Sequence, residues 1–146
     1  MTQRGTDRPV VLIVEDEFLV RKPAAEIISA AGYDVVEAFD ADAAIMILEN
    51  RRDIRVIITD IEVSGSMNGL KLAHAVKHRW PPIHIIASSA YHASLENDLP
   101  AGSVFLPKPY TEHKIVGALR ALTAPGPCAA RPVNDAKAAD LTLAQT

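Results

Sequence analysis

The sequence contains a single cysteine, Cys128. One thiol cannot close an intrachain disulfide, so the disulfide-stapled class is excluded and a reducing compartment is expected. No apolar run approaches the roughly 20 residues that a membrane-spanning helix needs. Met1 to Pro9 is polar and holds no apolar core behind a basic stretch, so no secretory leader is expected. These absences lead to the expectation of a cytoplasmic protein with no membrane partner. Positive charge is not in surplus either. Lys and Arg number 15 against 18 Asp and Glu, a net charge of -3, which offers no general attraction for nucleic acid. A Gly-x-Gly-x-x-Gly loop is missing, which argues against dinucleotide binding. There are no internal repeats.

What is present suits one ordinary soluble domain. The 146 residues are 49% hydrophobic and 23% charged. Val10-Val11-Leu12-Ile13-Val14 is continuous and rich in β-branched residues, as a strand covered on both faces would be. Ile54 to Thr59 and Ile83 to Ala87 read the same way. Tyr33 to Ala38 alternates more and suits an outer strand, and Ser103 to Leu106 makes a short fifth. Helical stretches lie between them. Ala24 to Ala31 is one, stopped by Gly32. Asp40 caps a second with Ala44, Ile45, Ile47 and Leu48 inward. Asn68-Gly69 opens a third, with Leu70, Leu72, Ala73 and Val76 inward, ended by Pro81-Pro82. Thr111 caps a last helix through Leu122, with Ile115, Val116, Ala118 and Leu119 as its stripe. Five strands alternating with helices predict parallel βαβ units in a three-layer α/β sandwich. Residues 1–8 read as an extension and 9–122 as the domain. Residues 123–146, rich in Ala and Pro, read as a flexible tail that includes Cys128.

The chemistry-bearing residues fall at strand ends. Glu15-Asp16 follows the first strand, Asp60 ends the third, Ser88-Ser89 follows the fourth and Lys108 follows the fifth. In a parallel sheet these ends share one edge, where ligands of doubly wound folds bind. Any one acidic residue there could simply cap the next helix. Three carboxylates brought together repel one another and call for a cation. Mg²⁺ takes hard oxygen ligands, and a carboxylate beside Mg²⁺ and a lysine can attack a phosphoryl group to give an aspartyl phosphate.

The stretches VLIVEDE, VIITDIEVSGSMNGL, IIASSAY and FLPKPY, in this order, resemble the receiver domains of bacterial response regulators. The resemblance covers about residues 9 to 122. It implies a flavodoxin-like sheet in the order 2-1-3-4-5. It implies that Asp60 accepts a phosphoryl group from a histidine kinase or histidine phosphotransfer protein. Asp16 would ligate Mg²⁺, with Glu15 acting through water and the Glu62 backbone carbonyl as a further ligand. Lys108 would pair with a phosphoryl oxygen, and Lys108-Pro109 would be cis. Ser89, favoured over Ser88 because Ala90 follows it, would be the switch hydroxyl, and Phe105 the aromatic that follows its movement. The expected role is a switch acting through protein contact or phosphate relay, not an enzyme in its own right. The alternative, a Mg²⁺-dependent phosphohydrolase of the haloacid dehalogenase kind, usually has a second Asp two residues after the nucleophile. Glu62 stands there instead.

Some residues depart from the family pattern. Pro23 falls inside the usual first helix, which predicts a kink or a late start. Ser64 replaces a frequent proline, which predicts a mobile loop after Asp60. Ser89 to Lys108 is short and holds Pro100, which predicts a shortened fourth helix between the fourth and fifth strands. The truncated form with its Lys-Pro-Tyr ending resembles stand-alone receivers of alphaproteobacteria. His74 and His78 are at metal-binding spacing but lack a third ligand, so a solvated helix face is the simpler reading. His84 reads as a packed strand residue and Trp80 as a lid over a helix end. Arg51-Arg52 reads as a solvated turn. Tyr91 and Tyr110 flank the site.

Overall fold

In a computed structural model, described for residues 8–63, 65–90 and 98–124, the five apolar runs form one parallel sheet. The strands are β1 (Val10–Val14), β2 (Asp34–Ala38), β3 (Ile54–Asp60), β4 (His84–Ser89) and β5 (Val104–Pro107). Their order across the sheet is β2-β1-β3-β4-β5. Four helices alternate with them: α1 (Phe18–Ala30), α2 (Ala41–Asn50), α3 (Gly69–Arg79) and α4 (Glu112–Thr123). The flavodoxin-like order expected above is thus the one observed.

The central strands are apolar on both faces because helices cover both. Leu12, Ile57 and Ile85 pack with Leu48, Leu72 and Val76 on the side of α2 and α3. Val11, Ile13, Val56, Ile58 and Ile86 pack with Ile28, Ile115 and Leu119 on the side of α1 and α4. The caps work as the side chains dictate. Asp40 accepts from the Ala43 N–H at 2.8 Å, Asn68 from Lys71 at 2.9 Å, and Thr111 from Lys114 at 3.1 Å. At the start of β3, Val10 faces Ile54 but Val11 faces Val56. Arg55 is therefore an extra residue, exposed in a bulge.

One expectation needs revision, and others fall outside the described residues. The first helix does not wait for Ala24. It begins at Phe18 and carries Pro23 within it. The cost of a proline there is the loss of the N–H bond to the carbonyl four residues back, that of Leu19. Leu19 is 84% exposed and Phe18 57%, so this turn faces water, which can satisfy the carbonyl. The turn is also anchored, because Arg21 bonds both the Glu15 carbonyl at 2.8 Å and Glu37 at 2.9 Å. In the loop after Asp60, Ser64 itself lies outside the described residues, and its neighbours on both sides make contacts. Val63 is buried, and Ser66 donates from its N–H and its hydroxyl to Asp42. The shortened fourth helix falls largely on residues 91–97, outside the described residues, together with Tyr91. So do the tail from residue 125 and Cys128.

Candidate functional site

Strand alternation explains which side chains meet. Val56 and Ile58 point to the α1 and α4 side, and the same period carries Asp60 there. Ile13 and Leu106 also point to that side, which brings Glu15 and Lys108 round to the same place. Ser89 and Phe105 follow the opposite parity. Phe105 is half-buried on β5, opposite Ala87.

The result is a compact charged cluster. Carboxylate oxygens of Glu15, Asp16 and Asp60 lie within 4.8 Å of one another, the one such group of potential metal ligands among the described residues. Glu15 and Asp60 are buried, while Asp16 is exposed at the mouth. Lys108 Nζ lies 2.8 Å from Glu15 Oε1 and 3.5 Å from Asp60 Oδ2. The Glu62 N–H donates to Asp60 Oδ1 at 3.3 Å, and the Ser89 hydroxyl donates to Glu62 Oε2 at 2.7 Å. The Lys108 N–H donates to the Ser89 carbonyl at 3.0 Å, and Lys108-Pro109 is cis. A groove of about 610 Å³ opens over the cluster. Asp16, Asp60, Glu62 and Lys108 line its charged side, and Leu19, Pro23, Ile27 and Tyr110 its apolar side.

The electrostatics follow from burial and from these neighbours. Burial pushes the Asp60 carboxyl up, the Lys108 charge opposes this, and the Glu15 charge adds to it, leaving Asp60 at about 6. Asp60 is thus ionised at neutral pH while more basic than an ordinary aspartate. Burial works against the Lys108 ammonium, but its bond to Glu15 and the charges of Asp60 and Glu15 outweigh it and raise Lys108. Burial raises the Tyr110 phenol and keeps it protonated. Three oxygens of hard donor type, two from buried residues and one from exposed Asp16, with one lysine for at least two negative charges, suit a small divalent cation.

Of the residues expected at one sheet edge, Glu15, Asp16, Asp60 and Lys108 form the cluster, and Ser89 adjoins it through Glu62 and the Lys108 N–H. Two further contributors emerge from the structure. Gly69 opens α3 directly beneath Asp60, where a Cβ would overlap the Asp60 carbonyl and come within 2.8 Å of the Ile61 Cα. The Glu62 side chain is engaged as well as its backbone. An Asn-Gly pair after the acidic strand end was the available signal for Gly69. None existed for the Glu62 contact. His74, His78 and His84 behave as packing or surface residues. His74 Nε2 lies 2.6 Å from the Asp98 carbonyl oxygen. Burial, with Arg55 and Lys77 nearby, lowers His84. Trp80 lies half-buried under the Arg79 guanidinium, 4.3 Å from the ring centre.

Residues 11–120 match the family model described as the response regulator receiver domain. The chain is 42% identical over 71 residues to the aerobic respiration control protein ArcA of Escherichia coli, covering 49% of this chain and 29% of that protein. It is 32% identical over 111 residues to the nitrogen assimilation regulatory protein NtrX of Azorhizobium caulinodans, covering 73% of this chain and 24% of that one. The chain therefore spans less than a third of either relative. A response regulator receiver protein from Sinorhizobium medicae superposes with a TM-score of 0.74 at 22% identity, covering 80% of this chain and 94% of that one.

Proposed function

The chain belongs to the response regulator receiver family of two-component signalling, and from that premise we propose that Asp60 is its phosphoacceptor. The observation that carries this is the placing of one buried, basic-shifted carboxylate. It ends β3 with Lys108 Nζ at 3.5 Å and the Glu15 and Asp16 oxygens beside it.

In this reading the donor is a phosphohistidine on a histidine kinase or histidine phosphotransfer protein. An Asp60 oxygen forms the new bond to phosphorus as the bond from phosphorus to the donor's imidazole nitrogen breaks. Asp16, Asp60 and the Glu62 carbonyl would hold Mg²⁺, with Glu15 acting through water. When bound, the ion supplies positive charge for the oxygens of the transferring group. Lys108 is poised to exchange part of its contact with Asp60 for a phosphoryl oxygen. Ser89 is the hydroxyl that turns toward the modified Asp60, and Phe105 is the aromatic that follows it. Output passes through an altered protein surface or through relay of the phosphoryl group, in the cytoplasm and without nucleic-acid contact.

The test is labelling of the full chain by a small phosphodonor with Mg²⁺, followed by mass spectrometry. Phosphate should appear on Asp60 and vanish in Asp60→Asn with the fold intact. Equal labelling of that variant would remove Asp60 from the role. Turnover of simple phosphate esters at enzymatic rates would instead favour a phosphohydrolase.

A further inference from the structure

The bond from the Ser89 hydroxyl to Glu62 Oε2, at 2.7 Å, joins a buried residue to an exposed one. Residue 62 also touches the acceptor, through its N–H to Asp60 Oδ1 at 3.3 Å. One residue therefore holds Asp60 with its backbone and Ser89 with its side chain. A hydroxyl has a single proton to donate. Given to a carboxylate, it makes a charge-assisted bond, stronger than a neutral pair and of the kind a phosphoryl oxygen would accept. Ser89 cannot donate to both.

We propose that Glu62 is a positioning residue whose carboxylate holds the Ser89 hydroxyl before phosphorylation and must release it before Ser89 can serve a group on Asp60. This rests on the reading of Asp60 and Ser89 given above. A phosphoryl group on Asp60 places new negative charge close to the Glu62 carboxylate and repels it. Glu62 lies at the surface and borders the open groove, so its side chain has solvent to move into. A ligand that needs Ser89 released binds more weakly in proportion to the fraction of molecules already in that state. Glu62 thereby sets the threshold for switching. The chain's own carboxylate accepts the hydrogen bond that the phosphoryl group would otherwise receive from Ser89.

Two measurements on the full chain decide it. The first is titration with beryllium fluoride and Mg²⁺, a phosphoryl mimic. The second is amide hydrogen exchange without any mimic. Glu62→Ala should bind the mimic about ten-fold more tightly and exchange faster at Ser89 and Ala90. Glu62→Gln keeps an acceptor and loses the charge, and should fall between. In a Ser89→Ala background, Glu62→Ala should add little to either measurement. If Glu62→Ala changes neither, the latch is overturned. An equal gain in the Ser89→Ala background overturns it too, because charge repulsion alone would then explain the effect. If the unmodified chain binds no beryllium fluoride, the acceptor reading of Asp60 fails, and the exchange comparison still judges the latch.

Discussion

Lys108 Nζ lies nearer to Glu15 Oε1, at 2.8 Å, than to Asp60 Oδ2, at 3.5 Å. The lysine is therefore shared, and its shorter contact goes to Glu15 rather than to the proposed phosphoacceptor. Lys108→Ala should leave two buried carboxylates facing each other and lower stability by roughly 2–4 kcal/mol. Urea unfolding would measure this. Millimolar Mg²⁺ should restore much of the loss, since the cation takes over the neutralising role. Metal affinity should be equal or higher, and affinity for a phosphoryl mimic lower.

Asp60 sits at about 6, above its ordinary 3.8. Between about pH 4 and 6 the folded chain keeps a proton that the unfolded chain has released, so stability falls as pH rises through that window. The full cost is present above about pH 6. Asp60→Asn carries no such cost. It should be more stable than the natural chain near neutral pH by roughly 1–3 kcal/mol. The gap should close as pH falls to about 4. Thermal melts across this range, without Mg²⁺, would show it. Equal melts at every pH would contradict the raised pKa of Asp60.

Gly69 has no room for a side chain against Asp60 and Ile61. Gly69→Ala should force the end of β3 or the start of α3 to move, at a cost of roughly 1–3 kcal/mol. Because the moved atoms belong to the proposed acceptor residue, labelling should slow by about ten-fold or more. The contrast is Gly117→Ala in α4, where an added Cβ meets nothing within 4 Å. That change should be neutral or slightly stabilising and leave labelling unchanged.

Asp16 is exposed at the mouth of the cluster. Asp16→Asn should hardly change the melting temperature, yet weaken Mg²⁺ binding by about ten-fold or more. Calorimetric titration separates the two effects. Unchanged affinity would take Asp16 out of the metal set.

Much of this was legible because the apolar runs are unambiguous. Val10 to Val14 and Ile54 to Ile58 alternate with helical patterns, which forces a parallel sheet and places Glu15, Asp60 and Lys108 at one edge. The start of α1 was hidden because Pro23 marks a boundary by local rules. Its neutralisation depends on a solvent-facing turn and on the Arg21 anchors, which span 16 residues to Glu37. The partner of Ser89 was hidden for a related reason. It lies 27 residues away and is chosen by the rotamer of Glu62, which no local pattern encodes. Gly69 looked like a helix start, while its tighter constraint comes from the backbone of Asp60.

The bulge at Arg55 lies at the end of β3 farthest from Asp60. Beyond it, Val56 to Asp60 pairs with His84 to Ser88 without interruption. A one-residue insertion or deletion within that run would turn Asp60 to the opposite face of the sheet. The same change on the Asp53 side of Arg55 is absorbed by turn and bulge. Over evolutionary drift, insertions and deletions in this strand are therefore confined to one end. Lineages descending from this sequence should vary in length before Arg55 and keep Val56 to Asp60 unchanged in length.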